Sequence, residues 1–283
     1  MEFENEKYTQ FRQDAQKSLN RDIDEFIEYQ TLALRTLHQI HNVCEKNDIR
    51  YFLAYGSLLG AVRDGGMIPW DYDIDIWIDG ENIHLLIEAL KKDLCNDYYF
   101  ICRYYNKSHR HYYMRVAPRG YSTEIIHVDI FWLWKGGDNI VQLEKSNNIL
   151  RKQKLLSFWR NCELKYITAG MNRGMKKICK LKSFFARIFI PNWFLDYLNI
   201  RQLKHFGKDG SLLTDEYSVF KKELFESRVK VRLNDGNEYY IPGGYDAILK
   251  KEYGEYQNYL PIKTRVEELR SSLCRIREGI KLK

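Results

Sequence analysis

YFLAYGSLLGAVRDGGMIPWDYDIDIWID, residues 51–79, is the stretch on which the reading of the chain turns. Its last part alternates. Side chains on an extended strand point to opposite faces in turn, so over 73–78 Ile74, Ile76 and Ile78 share one face and Asp73 and Asp75 the other. The isoleucine face suits a buried core. Two carboxylates side by side repel and raise each other's pKa, so the acidic face calls for a cation. Mg2+ is the natural one, with Mn2+ as the alternative, because both take hard oxygen ligands. Asp71 and Asp79 have the same parity, at strand ends where a cap or turn role competes. Upstream, 51–55 reads as a short strand ending at Gly56-Ser57, followed by a short helix over 58–62. Glycine there lets backbone approach a phosphate closely. The first N–H groups of the helix would face that phosphate, and the Ser57 hydroxyl adds a donor. Asp64-Gly65-Gly66 reads as a turn.

A second acidic strand lies at 125–131. Ile126, Val128 and Ile130 fall on one face, and His127, Asp129 and Phe131 on the other. A lone acid in so apolar a strand is costly to bury unpaired. If this strand pairs beside the first, Asp73, Asp75 and Asp129 converge as a catalytic, metal-holding set able to take one or two divalent ions. His127 is a candidate donor-site residue or base. Arg63, Arg103 and Arg115 are candidates for gripping a pyrophosphate, since the guanidinium fork matches phosphate oxygens. Trp70, Tyr72 and Trp77 are candidates either for packing a donor headgroup or for the core. An EF-hand loop over 71–81 fails because Ile76 stands where the sharp-turn glycine is required. A D-x-D also marks sugar-nucleotide glycosyltransferases, which require neither Gly56-Ser57 nor Asp129. A third reading, a non-catalytic nucleotidyltransferase-fold binding protein, is weakened by the intact acids.

Outward from this centre, 21–46 and 81–95 show helical spacing of apolar residues, and 98–104, 112–116 and 125–134 read as strands. The fold class is α/β (α+β), a mixed sheet flanked by helices. The expected organisation is a catalytic core over 1–140, a mainly helical insertion or lid over 141–210, and a C-terminal part, 211–283, completing the same unit. Strands are expected at 228–233 and 238–241 and a helix at 245–253. The helical stretch 142–206 is interrupted at Gly170, Gly174 and Pro191. Within it, 171–187 holds six basic residues and no acid, and an aromatic-rich stretch follows to residue 200. The plainer reading is a lid with a solvated basic side; the same composition suits peripheral contact with a membrane surface. A net charge of +7 suits a phosphate-bearing partner, and without an arginine-rich arm no nucleic acid is expected. The six cysteines form no C-x-x-C pair, which points to free thiols in a reducing compartment. The first residues have neither a basic start nor an apolar run, so no signal peptide is expected, and no run is long enough to span a bilayer. The expected location is cytoplasmic, with peripheral attachment at the inner membrane face as an option.

GSLLGAVRDGGMIPWDYDIDIWI resembles the core of the LicD/fukutin-type phosphotransferases, in which Gly-Ser or Gly-Thr precedes Leu-Leu-Gly-Ala and Ile-Pro-Trp-Asp leads into an acidic strand. Here these are Gly56, Ser57, 58–61 and 68–71. HVDIF at 127–131 is similar to the family's later acidic strand, and YYIPGGYDAILKKEYGEY at 239–256 to its C-terminal segment. Tyr72 stands where the family often has a second acid. The resemblance implies a nucleotidyltransferase-like core that moves phosphocholine, ribitol phosphate or glycerol phosphate from a CDP-activated donor to a hydroxyl of a cell-surface glycan. Capsular polysaccharide, lipopolysaccharide and teichoic acid are the expected settings, and a glycan or lipid-linked glycan the expected acceptor. The alternative is a UDP-sugar-dependent glycosyltransferase.

Overall fold

The computed structural model describes residues 24–103, 112–168, 171–203 and 209–281, with Phe206 and positions 13 and 17. The first helix, α1 (Asp24–Lys46), buries Phe26, Leu34, Leu37, Ile40 and Cys44, the face that the spacing predicts. Positions 21–23, where the helix was expected to begin, and Tyr104 and Gly170 lie outside the described residues. After β1 (Tyr51–Leu53), α2 runs over Tyr55–Arg63 and β2 over Ile74–Asp79. Helix α3 (Ile83–Asp93) buries Ile83, Leu86, Ile87 and Leu90. Three strands follow: β3 (Tyr98–Ile101), β4 (Met114–Pro118) and β5 (Val128–Lys135).

These strands form one mixed sheet in the order β1-β2-β5-β4-β3. Only β2 and β5 run parallel; the other neighbours are antiparallel. The parallel pair needs a crossover, which α3, β3 and β4 supply. Its register sets Ile74 beside Val128, Asp75 beside Asp129 and Trp77 beside Phe131. Ile74, Ile76 and Ile78 are buried as expected. Trp77 is fully buried too, because Tyr55, Phe220 and Phe225 close over it. It is a core residue and not a headgroup platform.

The helical region comprises α4 (Ile140–Asn161), a single turn α5 (Leu164–Ile167), α6 (Arg173–Phe189) and α7 (Asn192–Leu203). Gly174 does not break it; it sits in the first turn of α6, where Asn172 caps the helix by accepting from Met175 N at 2.9 Å. Pro191 does separate α6 from α7, lacking the N–H that a continuous helix needs. The chain then returns to the sheet through two short strands not expected from sequence, β6 (Leu212–Thr214) on β5 and β7 (Val219–Lys221) on β6. A hairpin of β8 (Arg228–Arg232) and β9 (Glu238–Pro242) packs beside β1, and α8 (Tyr245–Tyr253) packs on α2. A last helix, α9 (Ile262–Lys281), escaped the sequence reading. All six cysteines are free.

The β6–β7 turn anchors this side of the sheet through Asp215, which is 2% exposed. Its Oδ2 accepts from Trp77 Nε1 at 2.6 Å and from the Tyr55 hydroxyl, and its Oδ1 from the N–H groups of Tyr217 and Ser218. Asp215→Ala strands several buried donors at once and should cost about 3 kcal/mol or more, whereas Trp77→Leu cuts only one of these bonds but leaves packing defects. Urea unfolding of Asp215→Ala against Asp215→Asn, which keeps an acceptor, checks this: the asparagine variant should retain more of the stability.

Candidate active site

The three central strands place Arg115, Asp129 and Asp75 in one row. Arg115 pairs in register with Asp129 across β4 and β5, and Asp129 with Asp75 across β5 and β2. All three project to the same side of the sheet. Arg115 is buried and forks onto Asp129, Nε to Oδ1 at 2.8 Å and Nη2 to Oδ2 at 3.3 Å. Nη1 donates to Thr123 O at 3.0 Å and lies 3.3 Å from Glu124 Oε1. The guanidinium is thus committed to carboxylates and carbonyl and is not presented to a pyrophosphate. Burial alone would push the Asp129 carboxyl up, but Arg115 and His127 outweigh it and hold it below the usual carboxylate range. The same partnership outweighs burial at Arg115 and holds its charge firmly.

Asp75 has no such cation. Burial, and then the charges of Asp73, Asp129 and Asp71, push its carboxyl well above the ordinary value. Asp71 is raised as well, first by burial and then by Asp73. One anion of the set is therefore neutralised from within, and the acids nearer the cavity are not. His127 lies between them, fully buried, with Nε2 3.5 Å from Asp129 Oδ1 and 3.8 Å from Asp73 Oδ2. Apart from these charge contacts, neither ring nitrogen has a hydrogen-bond partner among the described residues.

The Gly56-Ser57 step differs from its expected form. The helix begins three residues earlier than expected, at Tyr55, whose φ of 44° is the strained element of the turn. Gly56 lies inside the first helical turn. What demands glycine is Asp71: a Cβ at position 56 would stand 2.9 Å from Asp71 Oδ2. The Ser57 Oγ accepts from Asp75 N at 2.8 Å, so its first task is to fix the start of the acidic strand. The loop to Asp71 is held from α1, where Gln30 Nε2 donates to Ile68 O at 3.0 Å and Asp71 O at 2.8 Å.

Beside these residues opens a cavity of about 670 Å³ lined by Gly56, Asp71 and Asp75 on one side. Arg63 and Trp70 also line it. Arg63 pairs with Asp64 at 2.9 Å and lies 4.4 Å over the Tyr259 ring, so its charge is partly met already. The far wall, Tyr253, Tyr256, Glu268 and Ser272, comes from α8, α9 and the loop between them. Burial, then Asp75 and Asp71, push the Tyr253 phenol above its usual range, which keeps it a donor. No spacing rule singles out these wall residues; the 239–256 resemblance marks only part of them. Arg103 is elsewhere, paired with Asp196 of α7 at 2.9 Å. Asp79 caps the turn of 3-10 helix after β2 by accepting from Glu81 N. Among the described residues, no three His, Cys, Asp or Glu side chains are grouped so as to hold a metal ion by themselves.

Residues 48–165 match the family model described as LicD/FKTN/FKRP, nucleotidyltransferase domain. The chain is 23% identical over 261 residues to the lipopolysaccharide cholinephosphotransferase LicD of Haemophilus influenzae, covering 83% of this chain and 92% of that protein. It is 50% identical over 52 residues to the ribitol 5-phosphate transferase FKRP of mouse and of human, covering 18% of this chain and 10% of each of those proteins.

Two substitutions test the site. Gly56→Ala forces Asp71 aside and should lower turnover at least roughly tenfold while leaving the thermal midpoint nearly unchanged, because one side chain can swing without unpacking the core. Arg115→Met abandons two buried carboxylates and should cost about 3–5 kcal/mol in urea unfolding. Arg115→Met combined with Asp129→Asn should recover part of that loss.

Proposed function

We propose, from the premise that residues 48–165 are a nucleotidyltransferase domain of the LicD/FKTN/FKRP family, that this phosphotransferase moves a phospho-alcohol from a CDP-activated donor to a glycan hydroxyl. The observation that carries this reading is the cavity itself: unneutralised carboxylates, Asp71 and Asp75, meet the glycine-containing first turn of α2 on one wall. The phospho-alcohol is phosphocholine, ribitol phosphate or glycerol phosphate, the first two being the groups named in the relatives' activities.

In this reading Gly56 and the first N–H groups of α2 receive a donor phosphate, as helix N-termini do. The acidic set fits Mg2+: its donors are hard oxygens, and their crowding raises the ionisation cost that a cation would relieve. Mg2+ ordinarily takes one or two carboxylates, with waters and substrate phosphates completing its shell, so Asp73 and Asp75 suffice as the residues that would hold it. Bound there, it would neutralise pyrophosphate charge. Asp129, forked on both oxygens by Arg115, keeps the acidic strands in register and is a poorer metal ligand or base than its place in the pattern suggests. The acceptor hydroxyl attacks the phosphorus in line, its O–P bond forms, the bond to the CMP oxygen breaks, and CMP leaves. The hydroxyl proton passes to Asp71, which also lines the cavity. Arg63, stacked at the cavity edge, steadies the donor.

Calorimetry with CDP-choline, CDP-ribitol, CDP-glycerol and UDP-sugars, with and without Mg2+, tests this on the wild type and Asp73→Asn. The expected result is Mg2+-dependent binding of one CDP-alcohol, lost in the variant. Binding of UDP-sugars alone would replace the proposal with glycosyl transfer.

A further inference from the structure

The helix α6 is packed inside out. Its buried positions are the small or weakly polar Cys179, Ser183 and Ala186, which face the body of the protein against α4. Its large apolar side chains point away from it: Ile178, Leu181, Phe184, Phe185, Ile188 and Phe189 are all exposed, Phe189 by 71%. A helix in a soluble protein turns its apolar stripe to the core. Here the stripe occupies the opposite side, about 140° of the circumference at 100° per residue. Helix α7 continues the surface with exposed Trp193 (70%), Tyr197 and Ile200, while Leu195 and Asn199 face inward. The rings are ordered on one another, Phe185 stacking on Phe189 and Trp193 meeting Phe194 edge to face.

The charge beside this face has one sign. Arg173, Lys176 and Lys180 lie along the flank of the apolar stripe and Lys177 just inside its edge, and none makes a salt bridge among the described residues. Arg187 is different: it donates to Arg160 O and Cys162 O and ties α6 to the end of α4. Asp196 is the single acid of 171–203, and Arg103 takes it. That ion pair, 2% and 21% exposed on its two side chains, fastens α7 to the end of β3. The face is thus tied to the sheet that carries the acids. A solvated lid would have shown the reverse arrangement, with lysines outward and aromatics covered.

We propose that α6 and α7 form a docking surface for an anionic lipid bilayer, lying in the plane of its headgroups. Aromatic and aliphatic side chains enter the acyl boundary, and the lysine flank meets lipid phosphates, the arrangement of interfacial amphipathic helices. Neither helix spans: among the described residues none is long and apolar enough to cross a membrane, and Pro191 divides the pair. The charge selects a bilayer over an apolar protein partner, because a continuous basic border answers a sheet of phosphates.

The test is co-sedimentation of the full chain with phosphatidylglycerol–phosphatidylcholine vesicles and with phosphatidylcholine vesicles. Wild type should pellet with the anionic vesicles at low salt and be released by high salt. Lys176→Gln, Lys177→Gln and Lys180→Gln together should weaken that partition roughly a hundredfold, about fivefold for each charge removed. Phe189→Asp with Trp193→Asp should abolish it, with circular dichroism confirming that the variant is folded. On unaltered packing, brominated acyl chains should quench wild-type tryptophan emission more than that of Trp193→Phe. Wild type remaining in the supernatant with anionic vesicles, or quenching equal in the two proteins, would overturn the proposal. So would a wild-type dimer in sedimentation velocity that Phe189→Asp with Trp193→Asp splits without any vesicle binding, since the face would then join copies of the chain.

Discussion

The register between β2 and β5 sets the conditions for everything else in the molecule. Parallel pairing sets Asp75 beside Asp129 on one side of the sheet and seals Ile74, Ile76, Val128 and Ile130 into the core on the other. A slip of one residue would exchange the faces, burying the acids and exposing the isoleucines. The apolar face therefore enforces the acidic one. Like charges brought so close cannot all be left bare. Arg115, one strand further on, compensates one of them, and the remainder is directed at a cavity. The charge balance of the site is a consequence of strand order.

Much of this is visible in the residues themselves. Period-two alternation foretells β2 and, from Val128 on, β5, with the faces of Asp75 and Asp129, because burial on one side and charge on the other leave a clear imprint; 125–127, read as the start of that strand, lie in the turn before it. Helix α8 falls on 245–253 as read, since Pro-Gly-Gly precedes it and Gly254 ends it. What alternation does not encode is the neighbour. Arg115 looks like a phosphate grip when only its type is known, and becomes the partner of Asp129 once β4 is laid against β5. Gly56 looks like a turn residue until Asp71, fifteen positions on, comes within contact of it. Ser57 likewise spends its acceptor on the backbone of Asp75. The short strands β6 and β7 left no periodic trace, being three residues each, and α9 reads as an ordinary charged stretch until its buried Leu269, Leu273 and Ile276 find the core.

Rigidity is unevenly distributed around the site. The acidic row is locked by sheet hydrogen bonds, by Arg115 and by the Asp215 cluster beneath Tyr55. The opposite wall is tied to the acidic side by side-chain contacts such as the Tyr259 hydroxyl on Asp64 and Arg275 on the Tyr72 hydroxyl. A site built this way keeps its charged atoms fixed while the wall that frames the substrate can vary in sequence without disturbing them, which is where differences in substrate size would be accommodated.

The origin of that wall has a consequence for how the protein comes into being. Ser272 donates to Trp70 O across 202 residues of chain. During synthesis the acidic strands emerge long before the helix that encloses their cavity. A half-made chain presents its carboxylates to open water, with one wall of the cavity still missing. The acids therefore precede their enclosure: the second wall of the cavity arrives only with α9.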